Sequence, residues 1–396
     1  DFNDWSHSQE GVGRFTVSQK NGERCSGATA FLEPVKRRKN LVVRSGTMVK
    51  RINFDGSKTA TGVSYDILGD DSYTEFEAML KPGGEVLVTG GAIGSPQILM
   101  TSGIGPATHL KEHAIDVVAD LPGVGQNLQD HPAVVVAFNS PARGVSVTSK
   151  LRLFGKTNPF PVLRWFMMKS GLLTSTGCDH GAFVKTKVSD GQPDLQIRFV
   201  AARPMSPDGM KTYTQFRNSK GRLSDGYTFQ LVAARAKSKG TIKLASANPH
   251  VKPIIRTNYL ADPADVDTLL EGIKLARNLG ERPEWSEFRG EEIFPGKDVQ
   301  SKTDLVNYMK ETIHTSNALV GTCKMGSGRD AVVGADLKVH GVNGVRVCDS
   351  SIFPNIPGGQ TATPTVMVAE RAASFILNPE VTVEIVEEPV TAKAAA

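Results

Sequence analysis

The first ninety residues alternate between apolar and polar side chains in short runs. The runs RFTVS, NLVVRS, TMVKRINF, TATGVSYDI and YTEFEAML contain many β-branched residues and are separated by Gly, Asn, Asp and Ser. Alternation with a period of two predicts strands, and the short separations predict antiparallel hairpins. The beginning of the chain is therefore expected to be rich in strands.

The run EVLVTGG is predicted as a buried strand that is followed by a helix. Ser95 is predicted as the N-cap of this helix, Pro96 as its first residue and Gly103 as its stop. A strand, a turn and a helix in this order present backbone N–H groups that suit a phosphate. The stretch from Gly90 to Pro106, GGAIGSPQILMTSGIGP, is therefore the first candidate for contact with a ligand.

Between Asn139 and Gly240 the pattern changes to loops with two alternating segments, DLQIRFVAA and GYTFQLVAARA, which predict strands of a second sheet. Alternation turns Arg198 away from the more apolar face of the first segment. Thr228 and Gln230 share one face of the second segment. The predicted sheet therefore carries polar side chains on a defined face.

Three later segments predict helices. DPADVDTLLEGIKLARNLG starts at Asp262 and Pro263, and SKTDLVNYMKETI has Ser301 and Asp304 at the spacing of a capping box. GGQTATPTVMVAERAASFIL reads as a loop that leads into a helix. The acidic and then alanine-rich tail after Asn378 is expected to be frayed.

The segment FPVLRWFMMKSGLL, from Phe160 to Leu173, is the longest apolar run, and Arg164 and Lys169 interrupt it. It is too short and too charged to cross a membrane. The favoured interpretation is a short amphipathic helix packed on a core. A lid over a lipid-sized pocket, or a contact with a membrane surface, stays open as the alternative.

The composition fits a large folded protein, with 396 residues of which 39% are apolar and 22% are charged. The net charge of +5 is spread along the chain, which argues against a dedicated nucleic-acid binder. The four cysteines form no C-x-x-C pair, so they predict no disulfide scaffold or metal set and favour a reducing compartment. The polar start does not resemble a signal peptide, and the chain is expected to be a piece of a longer protein.

Several motifs resemble those of one enzyme family. The stretch from Gly90 to Pro106 resembles the second signature of the glucose-methanol-choline (GMC) flavoprotein oxidoreductases. The resemblance continues through GVGQNLQDHP, VGTCKMG, GVRVCDSSIFP and TATPTVMVAERAA, and so covers nearly the whole chain. It implies an α/β (α+β) two-domain fold, in which part of an FAD-binding Rossmann-like domain joins a substrate domain with an antiparallel sheet backed by helices.

The resemblance also implies the division of the chain. Residues 1–138 and 319–378 are expected to belong to the FAD-binding domain, 139–318 to the substrate-binding domain, and 379–396 to a disordered tail. No G-x-G-x-x-G occurs, so the dinucleotide loop is expected in a missing N-terminal part of the same protein, which would complete the FAD site.

The expected cofactor is FAD, and five residues are assigned to it by resemblance. The adenine is expected near Val49 and the ribityl or pyrophosphate part near Asp349. The flavin ring is expected near Gly359, Gln360 and Thr361.

The bases that the family uses for alcohol oxidation are absent from their positions. These positions hold Ala318 and Ala362, and neither alanine can move a proton. Three alternatives remain: a non-catalytic GMC-like flavoprotein, a dark alcohol oxidase or dehydrogenase that uses other groups, and an enzyme whose chemistry needs no base.

The third alternative has a precedent in the algal fatty acid photodecarboxylases, a group within the family. The segments GCDHGAF, DLQIRFVAARPMSPDGMKTY, YTFQLVAARAKSKG and HTSNALVGTCKMG resemble the active-site segments of that group. The implied catalytic residues are Cys178 and Arg198. The implied substrate-binding residues are Cys178, Arg198, Tyr213, Thr228, Gln230, His314 and Asn317.

This resemblance implies a light-driven reaction in which photoexcited FAD decarboxylates a free fatty acid to an alkane or alkene one carbon shorter, with release of CO₂. The implied partner is a long-chain fatty acid, no nucleic acid is expected, and the implied location is the chloroplast.

Four of the candidate side chains also have a simpler alternative explanation. Without the resemblance, a solvated ion pair on a strand face is the favoured explanation of Arg198. Cys178 is typical of a small buried apolar residue, His314 of a core histidine with its hydrogen bonds satisfied, and Tyr213 of a ring packed in a loop.

Overall fold

The computed structural model describes residue 3 and residues 8–69, 74–153, 156–204, 206–208 and 225–378. Tyr213 and the predicted tail lie outside the described residues.

The described residues contain seven α-helices and twenty strands, many of them short. The helices are α1 (Gly91–Thr101), α2 (Ala107–Glu112), α3 (Val147–Lys150), α4 (Pro159–Met168), α5 (Pro263–Gly280), α6 (Lys302–Thr312) and α7 (Ala362–Leu377). The strands are β1 (Gly11–Arg14), β2 (Gln19–Lys20), β3 (Glu23–Arg24), β4 (Thr47–Phe54), β5 (Ala60–Ile67), β6 (Phe76–Met79), β7 (Val86–Val88), β8 (Ile104–Gly105), β9 (Ala119–Asp120), β10 (Pro132–Ser140), β11 (Arg152–Leu153), β12 (Lys156–Thr157), β13 (His180–Val184), β14 (Leu195–Val200), β15 (Asp225–Ala233), β16 (Thr241–Lys243), β17 (Ile254–Arg256), β18 (Glu292–Phe294), β19 (His314–Thr315) and β20 (Val345–Val347).

The largest sheet has seven strands in the order β1-β13-β14-β15-β10-β18, and β19 also pairs with β10. All of these pairings are antiparallel. One face of the sheet packs against α5 and α6, because their apolar sides and the inward residues of β10, β14 and β15 form one core. Helix α5 approaches closely at Gly272, where a Cβ would lie 3.0 Å from Leu195 Cδ1. The predicted antiparallel sheet backed by helices is confirmed.

A second core lies under α1. It joins apolar residues of α1, the antiparallel sheet β4-β5-β6, the segment 318–339 and the pair β7 and β20. Strands β7 and β20 are parallel although about 260 residues separate them, and Val86 pairs with Val345. A parallel pair of this kind fits the Rossmann-like part of the fold that the sequence predicts.

Helix α1 begins five residues earlier than the sequence predicts, at Gly91. Its N-terminal cap comes from a distant part of the chain, because Asp349 Oδ2 accepts hydrogen bonds from Gly91 N and Ser95 Oγ. Pro96 lies inside the helix and cannot donate to the carbonyl of Ala92. The Thr322 hydroxyl donates to this carbonyl at 2.7 Å and so replaces the missing backbone hydrogen bond.

Two of the predicted strands differ from the structure. Residues 41–45 of the run NLVVRS have no regular secondary structure, and Val42 and Val43 are 77% and 57% exposed. Only Arg14 of the run RFTVS belongs to a strand. Alternation alone is insufficient for Val42 and Val43, because the described residues leave both side chains exposed.

The favoured interpretation of α4 is wrong in one respect. The helix forms as predicted, with Asn158 as its N-cap, but none of its residues is buried. Phe160, Phe166 and Met167 are 68%, 71% and 72% exposed. Among the described helices, none is long and apolar enough to cross a membrane.

Candidate active site

Arg198 lies on β14, on the face of the large sheet opposite α5, and only 9% of it is exposed. Its Nε donates to Gln196 Oε1 at 3.1 Å and its Nη1 donates to Gln230 Oε1 at 3.4 Å. Within the described residues, the buried Nη2 has no hydrogen-bond partner. The solvated ion-pair alternative for Arg198 is therefore wrong, because the side chain is buried and its partners are amides.

The electrostatic surroundings of Arg198 include two further side chains. Burial lowers the pKa of the Arg198 guanidinium, and the neighbouring Cys178 and Asp130 oppose this shift. An arginine nonetheless keeps its charge in proteins. The site therefore holds a buried positive charge, and its Nη2 donor has no hydrogen-bond acceptor among the described residues.

Gln230 and His314 continue the hydrogen-bonded chain. Residue Gln230 pairs with Arg198 across β14 and β15, and its Nε2 lies 3.0 Å from His314 Nε2. His314 Nδ1 lies 3.2 Å from the carbonyl oxygen of Thr312. Burial lowers the pKa of His314, so its neutral form is favoured. Both ring nitrogens have partners, which fits the core-histidine alternative as well as a role in the site.

Asp130 and His131, from the motif GVGQNLQDHP, connect this sheet to the loop before α7. His131 Nε2 lies 3.0 Å from the carbonyl oxygen of Pro357. Burial lowers the pKa of His131 to about 4, and the charge of Arg198 acts in the same direction. Asp130 accepts hydrogen bonds from the backbone of His131 and Ala318 and from the Tyr259 hydroxyl.

The loop from Pro354 to Thr361 is held by side chain to backbone contacts. Gln129 Nε2 donates to the Pro354 carbonyl at 3.0 Å, and Gln129 Oε1 accepts from Ile356 N at 3.1 Å. A Cβ on Gly358 would lie only 2.7 Å from Arg235 Nη2, so a larger residue at this position would require the Arg235 side chain to move. The loop is thereby fixed beside the Arg198 face of the sheet.

The residues at the start of α7 fit a flavin. If Gly359 carried a Cβ, the one described atom within 4 Å of it would be Gln9 Nε2, at 3.8 Å. The loop is therefore open at Gly359. Among the described side chains, none caps the N terminus of this 16-residue helix after Thr361. The free N–H groups of a helix N terminus favour an electron-rich acceptor such as a flavin carbonyl.

The remaining predicted residues occupy separate positions. Cys178 is half-buried in the loop before β13, and Asn317 is exposed with a φ of 60°. Thr228 is buried and donates its hydroxyl to the Ala202 carbonyl at 2.7 Å. Val49 lies on β4, opposite Tyr65.

Asp349 is buried, and the structure changes the expectation for the α1 turn. The carboxylate of Asp349 takes the position at Gly91 N that the sequence suggested for a phosphate. A carboxylate at a helix N terminus satisfies the same N–H groups that an anion would need. The N terminus of α1 is thus capped by the protein itself.

Sequence reasoning missed Gln196, Gln129, Asp130 and His131 as members of this site. Alternation places Gln196 on the same face of β14 as Arg198, two positions away, but it did not indicate that Gln196 binds the guanidinium. The other three lie in a motif that the sequence already distinguished, but their contacts are distant. Gln129 and His131 reach a loop more than 220 residues away, and Asp130 reaches Ala318 and Tyr259. No group of His, Cys, Asp or Glu suited to a metal ion occurs in the described part of the chain.

Comparison with known proteins identifies relatives. A model of the GMC oxidoreductase family matches residues 1–133, and a second model of the same family matches residues 236–369. The chain is 48% identical over 95% of its length to the chloroplastic fatty acid photodecarboxylase of Chlamydomonas reinhardtii, and spans 63% of that protein. It is 37% identical over 95% of its length to an alcohol dehydrogenase [acceptor] of Pseudomonas putida, and spans 65% of it.

Among solved structures, a formate oxidase from Aspergillus oryzae matches 94% of the chain with a TM-score of 0.83 and 24% identity, and the chain covers 66% of it. This likeness confirms the predicted fold. The family models, together with the 48% identical relative, confirm FAD as the cofactor.

Proposed function

Because the chain belongs to the GMC oxidoreductase family, we propose that the full protein uses its FAD for the light-driven decarboxylation of free fatty acids. The products are CO₂ and a hydrocarbon one carbon shorter. The 48% identity to a photodecarboxylase supports this proposal, although the chain spans less than two thirds of that relative.

The observation that carries the proposal is the Nη2 of Arg198, which has no partner among the described residues. A buried donor without an acceptor is costly, and a charged donor more so. The carboxylate of a fatty acid supplies both the missing acceptor and the opposite charge, and arginine binds carboxylates with a planar pair of donors. Arg198 therefore binds and orients the head group.

When bound, photoexcited FAD supplies the one-electron oxidation of the carboxylate. Loss of that electron breaks the bond between C1 and C2 and releases CO₂. The conversion of a carboxylate and a proton to an alkane and CO₂ is redox-neutral overall, so an electron and a proton return to the alkyl radical. Cys178, a neighbour of Arg198, is the S–H group suited to assist this hydrogen return.

The test is to illuminate the complete protein with palmitate. We expect pentadecane and CO₂ under blue light and neither in the dark, measured by gas chromatography of headspace and extract. Palmitate is also expected to shorten the fluorescence lifetime of the bound flavin. An unchanged lifetime together with no C15 hydrocarbon would contradict the proposal and favour a non-catalytic flavoprotein.

The second candidate function is dark oxidation of an alcohol, which the 37% identity to an alcohol dehydrogenase favours. Such a reaction needs a proton acceptor beside the flavin. Ala318 is fully buried and donates its backbone N–H to Asp130, and Ala362 is the first residue of α7. We therefore expect no anaerobic bleaching of the flavin by alcohols, sugars or choline, and rapid bleaching would favour this candidate.

We propose that α4 contacts a membrane surface, since its exposed apolar side chains lie beside Arg164 and Lys169. Cosedimentation of the complete protein with anionic vesicles tests this contact. Phe166→Ser is expected to weaken sedimentation, whereas Phe31→Ser, at another exposed aromatic residue, is the matched control. Equal sedimentation of both variants with the unchanged protein would contradict the contact.

Three further assignments accompany the proposed function. We propose that residues 1–138 and 319–378 are the FAD-binding parts and 139–318 the substrate-binding part, although β10 already begins at Pro132. We propose that an N-terminal part of the same protein completes the FAD site. A chloroplast location is proposed because the Chlamydomonas relative is named chloroplastic, and imaging of the tagged full protein tests it.

A further inference from the structure

Arg198 is held by neutral partners. A guanidinium has five N–H donors in one plane. The Nε donor binds Gln196, two positions earlier on β14, and an Nη1 donor binds Gln230, the residue opposite on β15. Two contacts from adjacent strands fix the plane of the guanidinium, so Nη2 has a defined direction.

The chemical type of these partners matters as much as their position. A glutamate in place of either glutamine would accept the same hydrogen bond, but it would also neutralise the charge of Arg198. Amide oxygens orient the guanidinium without adding a negative charge to that of the neighbouring Asp130, so the positive charge of Arg198 stays available to an incoming anion. Gln196 is 3% exposed and Arg198 is 9% exposed, so solvent screens this region weakly.

The orientation of the Gln230 amide is set by His314. If the neutral ring carries its proton on Nδ1, it donates to the Thr312 carbonyl and accepts from Gln230 Nε2. The Oε1 atom of Gln230 is then turned toward Arg198, as observed. The charged groups that face His314 are Arg198, Asp130 and Asp208, and burial is the main cause that keeps the ring neutral.

We propose that Gln196 and Gln230 are positioning residues, which orient Arg198 without neutralising it, so that the site selects a ligand with one carboxylate over an uncharged ligand of the same length. This inference rests on the proposed function for the identity of the ligand. Neither glutamine is required to touch the reacting atoms.

The test measures ligand binding in the dark by the complete protein with bound FAD. Gln196→Glu keeps the size and the acceptor but adds a charge, whereas Gln196→Met removes the acceptor and adds none. We expect Gln196→Glu to weaken the binding of palmitate by about tenfold or more, and Gln196→Met to weaken it less. Binding of hexadecanol, which has no charge, is expected to change little in Gln196→Glu.

Flavin content and thermal unfolding serve as controls for folding. If Gln196→Glu does not fold, Gln230→Met takes its place, and it is expected to raise KM for palmitate several-fold with a smaller change in kcat. The inference is overturned if folded Gln196→Glu binds palmitate as tightly as the unchanged protein does. It is also overturned if the variant loses affinity for palmitate and for hexadecanol to the same extent. It is overturned too if Gln230→Met leaves KM unchanged.

These outcomes are separable from the outcome of the proposed function. If the variants behave as expected in the dark but no hydrocarbon forms under light, the proposed reaction fails and the carboxylate site stands. If hydrocarbon forms and the variants bind palmitate normally, the reaction stands and the positioning role fails.

Discussion

Two buried charged side chains, Asp349 at the start of α1 and Arg198 on the large sheet, differ in how completely their hydrogen bonds are satisfied. Asp349 accepts hydrogen bonds from Gly91 N, Ser95 Oγ and Ser351 N, and so joins α1 to the segment after β20. Arg198 donates to two amides, and within the described residues its Nη2 has no partner. Burial alone does not distinguish the two, since 5% of Asp349 and 9% of Arg198 are exposed.

This difference distinguishes a buried charge that stabilises the fold from one that is suited to bind a ligand. A buried charge whose bonds are complete stabilises the elements that supply them, and removing it leaves several donors unpaired. A buried charge with an open position costs stability and persists where a ligand completes it. Substitutions at Asp349 should therefore change stability, and substitutions at Arg198 should change binding and turnover.

The largest expected effect is that of Asp349→Ala. It leaves the donors of Gly91, Ser95 and Ser351 without an acceptor in a buried place, and we expect a loss of roughly 3–5 kcal/mol in the free energy of unfolding. Urea or thermal unfolding of the complete protein measures the loss. Asp349→Asn, which keeps one acceptor, should lose less, and an equal loss in both variants would contradict the capping role.

Arg198→Lys should have the next largest effect, on activity. A flexible ammonium cannot reproduce the planar fork, so we expect a decrease of about 100-fold or more in kcat/KM for palmitate under light, or about 2.7 kcal/mol. The unfolding free energy should change by less than about 1 kcal/mol, because Arg198 is incompletely bonded in the fold. If the Arg198→Lys variant were stable and fully active, the proposed distinction between a structural Asp349 and a ligand-binding Arg198 would be wrong.

A third prediction concerns pH and His131, which joins the Arg198 face to the loop before α7. Its pKa is lowered to about 4 in the folded state, so the unfolded chain binds a proton near pH 6.5 while the folded chain does not. The folded state is therefore favoured above pH 6.5 and loses stability as the pH falls toward 4, by up to about 3 kcal/mol. The lowered pKa of His314 acts in the same direction.

The measurement is the free energy of unfolding at pH 7, 6, 5 and 4.5, for the unchanged protein and for His131→Asn. The variant should be less stable at pH 7 and should show a smaller dependence on pH over this range. Identical slopes would indicate that other groups carry the dependence.

The smallest expected effect is that of Thr322→Val, on the Asp349 side of the comparison. Valine has nearly the shape of threonine but leaves the Ala92 carbonyl without the donor that compensates for Pro96. We expect a loss of about 1–2 kcal/mol in the free energy of unfolding. Thr322→Ser keeps the hydroxyl and should lose less, and if valine were as stable as threonine, water would be satisfying that carbonyl.

Local signals in the sequence predicted the elements whose causes are local. Helix α5 begins after Asp262 and α6 after Ser301, because each cap bonds a backbone N–H two or three residues later. Strands β14 and β15 follow from alternation, since both of their faces are covered in the fold. The opposite case is the run NLVVRS, whose pattern predicts a strand that does not form, because the described residues leave Val42 and Val43 exposed.

The family, the FAD cofactor, the order of the main elements and the face of β14 on which Arg198 lies all follow from the sequence. The assembled fold was needed to show that α1 begins at Gly91 and that α4 is exposed. It was also needed to show that Gln196 and Gln230 both accept hydrogen bonds from the guanidinium of Arg198. The physical reason is the separation in sequence of the residues that interact. A helix cap or an alternating strand depends on neighbours within a few residues, and the sequence shows these directly. The acceptor at Gly91 comes from 258 residues away, and Gln230 meets Arg198 from 32 residues away. Such contacts exist only once the sheet and the loop before α7 are assembled.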